Sequence, residues 1–224
     1  MDPAREFLAL GEDRRHITMT TLGRTLTLLL IACGAALAFL PGCATHQPGP
    51  SVREKTLDEA MSYAQSAEDA DKAKNYDKAV ELNKKALALH PELGGVWNNL
   101  GLALMHRGLP NDFVEASQAF KQAADTLPTD DRPYQNLGVL YHERGFSDEA
   151  LRYFALALDR NPNSLDSIRG AVGSAKRLGK SDEAGLARLN RGLMIETDPQ
   201  WRQIMEFEKL RVQNDLAERA RPST

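Results

Sequence analysis

Two successive segments of the chain carry the same scatter of residues, and parts of that scatter recur on either side. Trp97, Leu100, Gly101, Ala116, Phe120, Ala123 and Pro128 are followed by Tyr134, Leu137, Gly138, Ala150, Phe154, Ala157 and Pro162. Alanine recurs at Ala79, Ala116, Ala150 and Ala184, at intervals of 37, 34 and 34 residues. Proline at Pro91, Pro128 and Pro162 and glycine at Gly108, Gly145 and Gly179 keep the intervals of 37 and 34. A period of this size belongs to chains built from stacked supersecondary units, none of which can bury its apolar face alone. Each marker has a physical role. The alanine methyl lets two helix backbones cross closely, the proline ends a helix because it cannot continue the hydrogen-bond ladder, and the glycine accepts the positive φ that closes one.

The second set has the spacing large–x2–Leu–Gly–x2–Tyr, then Ala–x3–Phe–x2–Ala–x4–Pro, and resembles the tetratricopeptide repeat (TPR), a helix–turn–helix unit of 34 residues. The resemblance covers residues 60–198 and implies an all-α, right-handed solenoid of four units, about 60–93, 94–130, 131–164 and 165–198. In such a fold Trp97, Leu100, Tyr134 and Phe154 are core. The interval of 37 places a three-residue insertion in the turn Gly108–Asp112, where both packing faces are spared. The first unit departs from the family with Ala67 and Asn83 in place of Gly and Phe. The fourth departs with Arg188 and Arg191 where Phe154 and Ala157 stood, as expected of a capping unit. Ser147 and Ser181 are expected to cap the helices that follow them. Residues 199–224 form a closing helix and tail, with Trp201, Ile204, Met205 and Leu210 toward the open end of the stack or, alternatively, toward a second copy.

The N-terminus has a different character. From Thr25 to Leu40 the chain carries no charge and is rich in leucine, and Arg24 precedes it. Sixteen residues are short for a membrane span, which needs about 20, but suit a signal peptide. The run ends in Leu40-Pro41-Gly42-Cys43, which resembles the lipobox of bacterial lipoproteins, although Pro41 departs from that family's small aliphatic or hydroxyl residue. The resemblance implies that residues 1–42 are removed and that Cys43 carries lipid, with residues 43–56 as a flexible tether. The acidic residues Asp2, Glu6, Glu12 and Asp13 do not suit a signal, so Met19 is the expected start. Ala44, in place of an aspartate, points to the outer membrane, facing the periplasm. The other reading is an uncleaved anchor with Cys43 a bystander.

Chemistry is sparse. A formal charge of −3 offers no basic field for nucleic acid. No nucleophile elbow and no H-x3-H or HExxH spacing occurs, so no catalytic residue, metal or cofactor is expected. What remains is the groove that the TPR resemblance implies, lined by the first helix of each unit. Carried over position by position, it comprises Asn98, Asn99, Leu102, Met105 and His106, then Arg132, Gln135, Asn136, Val139, His142 and Glu143, then Arg169, Lys176 and Arg177. Asn99 and Asn136 occupy the position at which family asparagines hold an extended backbone, since an amide both donates and accepts. The three cations of the fourth unit suggest a carboxylate at one end. The family's own two-carboxylate clamp is matched only in part, because Ala64 and Glu68 stand where its first-repeat Lys/Asn pair would be. The expected function is a membrane-tethered adaptor for a protein or peptide partner; small TPR lipoproteins of this kind assist pilus-secretin or outer-membrane assembly. The alternative is a structural subunit that associates through its convex face or last helix.

Overall fold

A computed structural model describes residues 51–221. The expected signal peptide, Cys33, Cys43 and most of the expected tether lie outside the described residues. Among the described residues there are nine helices and no strand: α1 Val52–Lys72, α2 Tyr76–Leu89, α3 Gly94–Arg107, α4 Asp112–Thr126, α5 Arg132–Glu143, α6 Ser147–Arg160, α7 Leu165–Arg177, α8 Glu183–Ile195 and α9 Pro199–Arg219. Consecutive helices pack against each other as antiparallel pairs, α1 with α2 through α7 with α8, and α9 closes the series. The chain is a helical solenoid.

The repeat markers do the work their chemistry suggests. Gly108, Gly145 and Gly179 turn the chain out of the first helix of three units at φ of 69°, 82° and 62°, and Lys74 adopts the same conformation at 59° in the first unit. A Cβ on Gly101 would lie 2.5 Å from the Phe120 ring, and one on Gly138 would lie 2.6 Å from the Phe154 ring. The glycine is therefore the slot and the aromatic is the wedge. Leu100, Leu137 and Phe154 are buried, whereas Trp97 and Tyr134 are half-buried. Their polar ends explain the difference. Trp97 Nε1 donates to Pro91 O at 2.8 Å, and Arg160 both donates to the Tyr134 hydroxyl at 2.8 Å and lies over its ring. The inserted turn is pinned by Asp112, whose buried carboxylate accepts two bonds from Arg107, at 2.7 and 3.0 Å, and one from Leu109 N at 2.8 Å. The Arg107 guanidinium holds the Asp112 carboxyl below its usual range.

Three sequence expectations are corrected. The first helix begins at Val52, so residues 52–56 are helix and not tether; Ser51 and Glu54 form a reciprocal capping box that starts it. Neither Ser147 nor Ser181 caps a helix. Asp182 caps α8 instead, accepting from Gly185 N at 2.6 Å, while Ser181 is buried and bonded to Asp215 on α9. In the fourth unit Ala184 is exposed, and the packing pattern resumes one residue later. Gly185, Leu189 and Gly192 keep the four-then-three spacing of Ala150, Phe154 and Ala157, and a Cβ on Gly192 would lie 2.7 Å from Met205 Sδ. The extra residue arises because Asp182 takes the cap, which starts the helix at Glu183.

The closing helix packs through Trp201 and Met205, as expected, but the rest of its buried face differs. Met205, Glu208 and Val212 are buried, with Trp201 and Leu216 partly so, against Ile168, Val172 and Leu189. Ile204 and Leu210, expected on this face, are exposed together with Phe207. Glu208 interrupts the apolar run and disguises the buried side. Its carboxylate is paired with Arg211 at 2.9 Å and Lys176 at 3.6 Å, which permits its burial.

Candidate functional site

The backbones of the first helices α1, α3, α5, α7 and α9 each come within 8 Å of the next one along the stack, whereas among the described residues no two successive second helices approach so closely, and α2 and α4 meet through the Lys84–Glu115 ion pair. Crowding one layer while the other splays bends the stack. The first helices therefore line the inner, concave face, and the residues expected in the groove lie on them.

Most of those residues are engaged sideways with the neighbouring first helix. Asn99 Nδ2 donates to Glu68 Oε1 at 3.2 Å, and His106 Nδ1 lies 3.0 Å from Asp71 Oδ1, linking α3 to α1. Asn136 Nδ2 donates to Asn98 Oδ1 at 2.9 Å, linking α5 to α3. Gln135 Oε1 accepts from Ser164 Oγ at 3.2 Å, and His142 Nδ1 lies 2.8 Å from Ser174 Oγ, linking α5 to the start and middle of α7. The Ser174 hydroxyl donates to Gly170 O at 2.9 Å, which leaves His142 Nδ1 as the donor to its oxygen. Burial, and secondarily the Arg177 charge, push the His142 pKa down, so the ring is neutral at pH 7. A ladder of polar contacts thus runs along the inner face, and it is part of what holds successive units in register.

The cations expected on the fourth unit meet partners within the chain. Arg169 forks the Glu196 carboxylate at 2.7 and 2.8 Å, Lys176 pairs with Glu208, and Arg177 donates to His142 O at 2.7 Å. Arg132 pairs with Asp130 at 2.6 Å at the start of α5. Arg169 and Lys176 are thus paired with acids of the segment leading into α9 and of α9 itself, whereas the exposed Arg177 meets only a carbonyl oxygen. The sequence reading missed Glu208 because it looked like an ordinary surface acid on a polar helix, and Glu196 because it lies in the short link between α8 and α9.

Gly179-Lys180-Ser181 has the closing letters of a phosphate-binding loop, but its geometry is different. Lys180 pairs with Asp182 at 3.3 Å, and Ser181 turns to α9. No group of three or more metal-ligating side chains occurs among the described residues.

At the other end of the face, Asn83 was read only as a departure from the repeat pattern. It is 1% exposed, its Nδ2 donates to Ala79 O at 3.0 Å, and its Oδ1 has no partner. A buried acceptor left unpaired costs about 1–3 kcal/mol. The signal in the sequence is a polar residue at the position of the Phe120 and Phe154 wedges.

No family profile and no curated protein matches the chain. Solved structures do match it in fold. The crystal structure of MamA aligns with a TM-score of 0.56 at 17% identity, over 75% of this chain and 98% of that one. The TPR domain of Sgt2 from Aspergillus fumigatus aligns with a TM-score of 0.51 at 20% identity, over 62% and 87% of the two chains. The first TPR of Spaghetti (RPAP3), bound to the HSP90 peptide SRMEEVD, aligns with a TM-score of 0.52 at 16% identity, over 55% and 96%. The chain therefore has a TPR-like fold.

Proposed function

We propose that this chain is a non-enzymatic adaptor that holds a protein or an extended peptide on its inner face, anchored by lipid at Cys43 to the outer membrane on its periplasmic side. The observation that carries the reading is the face itself. Five first helices present amides, imidazoles and carboxylates in a row, with the half-buried Leu102, Met105 and Val139 between them and His106 and Glu143 exposed. Such a surface suits a chain laid along it, with backbone groups met by amides and side chains received between helices. The first TPR of RPAP3 is bound to a peptide, SRMEEVD, which supports a peptide as the occupant of a fold of this kind. The anchor rests on the signal-like run and Cys43.

The test is a crosslinked pull-down from membranes, comparing the native chain with an Asn99→Ala/Arg132→Glu/Arg177→Glu variant of matched stability. Arg169 is left alone because its charge holds Glu196. A partner captured by the native chain and lost by the variant is the expected result. A second reading has its own observation: Ile204, Phe207 and Leu210 form an exposed apolar stripe on α9. Retention by the groove variant, with loss on Ile204→Ser/Phe207→Ser/Leu210→Ser, makes the chain a structural subunit that associates through its last helix. For the anchor, Cys43→Ser is expected to leave the helices intact and release the protein from membranes. Continued labelling of that variant by a radioactive fatty acid rejects lipidation at Cys43.

A further inference from the structure

The glycine–aromatic wedge that locks the second and third units is missing from the first, and a polar pocket stands in its place. In the third unit Phe154 fills the space between α5 and α7, so tightly that a Cβ on Gly138 would lie 2.6 Å from the ring and one on Gly170 would lie 2.2 Å from it. The repeat intervals put Ala67 where Gly138 stands, Asn83 where Phe154 stands and Asn99 where Gly170 stands. Asparagine is too short to fill the space. What is left is a pocket of about 200 Å³ opening between α1 and α3 on the inner face, lined by Ala67, Glu68, Asp71, Asn83, Asn99 and Leu102, with Lys72 at its edge.

The pocket is rich in acceptors and poor in donors. Asn83 Oδ1 is buried and unpartnered. Glu68 and Asp71 contribute carboxylates: Glu68 uses Oε1 on Asn99 and turns Oε2 toward Lys72, while Asp71 uses Oδ1 on His106 and keeps Oδ2. The amide donor nearest them, Asn99 Nδ2, gives one of its two N–H groups to Glu68. The edge shows what such a set attracts: the Lys72 ammonium, 71% exposed, lies 4.0 Å from Glu68 and 3.9 Å from Asp69. Ala67 and Leu102 give an apolar wall against which a methylene stem can lie. We propose that this pocket receives the guanidinium or ammonium group of a basic side chain presented by a peptide on the inner face. A guanidinium fits the acceptor set best, since it offers five donors and accepts none. The proposal deepens the adaptor reading and takes from it only that a peptide lies on this face.

The test uses the full chain and the pentapeptide acetyl-Gly-Gly-Arg-Gly-Gly-amide, followed through the NMR resonances of the Asn83 and Asn99 side-chain amides. The expected result is a saturable shift of both, with the citrulline peptide, equal in shape but neutral, binding about tenfold more weakly or less. Glu68→Gln/Asp71→Asn is expected to weaken the arginine peptide by a similar factor. Ala67→Gly/Asn83→Phe rebuilds the wedge of the later units; it is expected to keep the helical signal, raise the melting temperature and abolish the shift. Equal binding of arginine and citrulline peptides overturns the proposal, as does undiminished binding by the wedge variant. N-acetyl-arginine amide binding as tightly as the pentapeptide overturns the peptide part, since a free cation then suffices. The adaptor reading fails separately. An arginine response without any groove-dependent partner in the pull-down removes the adaptor and keeps the pocket, and the reverse pattern removes the pocket and keeps the adaptor.

Discussion

Phe154→Ala is expected to lower the free energy of unfolding by about 3–5 kcal/mol. Phe154 is 1% exposed, and its ring lies against two glycines on two different helices, Gly138 on α5 and Gly170 on α7. Glycine has no side chain that could move into the vacated space, so the cavity persists and the cost falls at the high end. The ring is also the joint between the third and fourth units. A solenoid is held by contacts between neighbours, so the loss should divide the unfolding transition, with α7–α9 melting before the rest. Chemical denaturation followed by circular dichroism and, in a Trp97→Phe background, by Trp201 fluorescence measures both effects, because Trp201 then reports the C-terminal part alone. A single transition displaced by less than about 1 kcal/mol would show that the ring is not the wedge, since a buried aromatic truncated in place cannot cost so little.

Phe154 was legible in the sequence because a repeat states its own rules three times over. Glycine, alanine, phenylalanine and proline at fixed spacing told which faces meet, and the turns at Gly108, Gly145 and Gly179 lie where those spacings put them. What could not be read falls where one charged side chain answers another far along the chain. Glu208 breaks the apolar run of α9 and so concealed the buried face; only its distance to Lys176 and Arg211 explains why a carboxylate can be there. The one-residue shift in the fourth unit followed from a cap, Asp182 in place of Ser181, which exchanges which residues of α8 face inward. Arg188 and Arg191 marked the change of pattern, but the pattern itself had moved to Leu189 and Gly192. The inner face was located by resemblance, while the partners of its side chains were not, because lateral contacts between units about a repeat apart leave no local spacing signal. Asn83 is the opposite case. The departure from phenylalanine was visible, and its consequence, an open pocket with an unpaired oxygen, needed the three-dimensional neighbours.

Arg169→Met tests the most consequential of those lateral contacts and is expected to destabilise the protein by about 3 kcal/mol at pH 7. The Glu196 side chain is fully buried, and without the guanidinium it keeps only backbone donors such as Asp198 N at 2.8 Å. Removing one partner of a buried pair strands the other, which costs more than the pair itself contributes. The hydrogen bond from Arg169 holds the Glu196 carboxyl below its usual range, with burial opposing it. A depressed folded pKa stabilises the native state fully above the unfolded value, about 4.3 for glutamate, and the contribution is lost as pH falls through the folded pKa. The gap between wild type and Arg169→Met is therefore expected to be widest above about pH 5 and to close on acidification, since protonated Glu196 no longer needs the cation. Adding Glu196→Gln should recover most of the loss at neutral pH, because the amide can still accept from Asp198 N while carrying no charge. Denaturation midpoints of the three proteins between pH 3 and pH 7 decide the matter. If Arg169→Met is as stable as the wild type across that range, Arg169 is not the residue that fastens α9 to the stack, and its charge returns to the inner face as one a ligand can use.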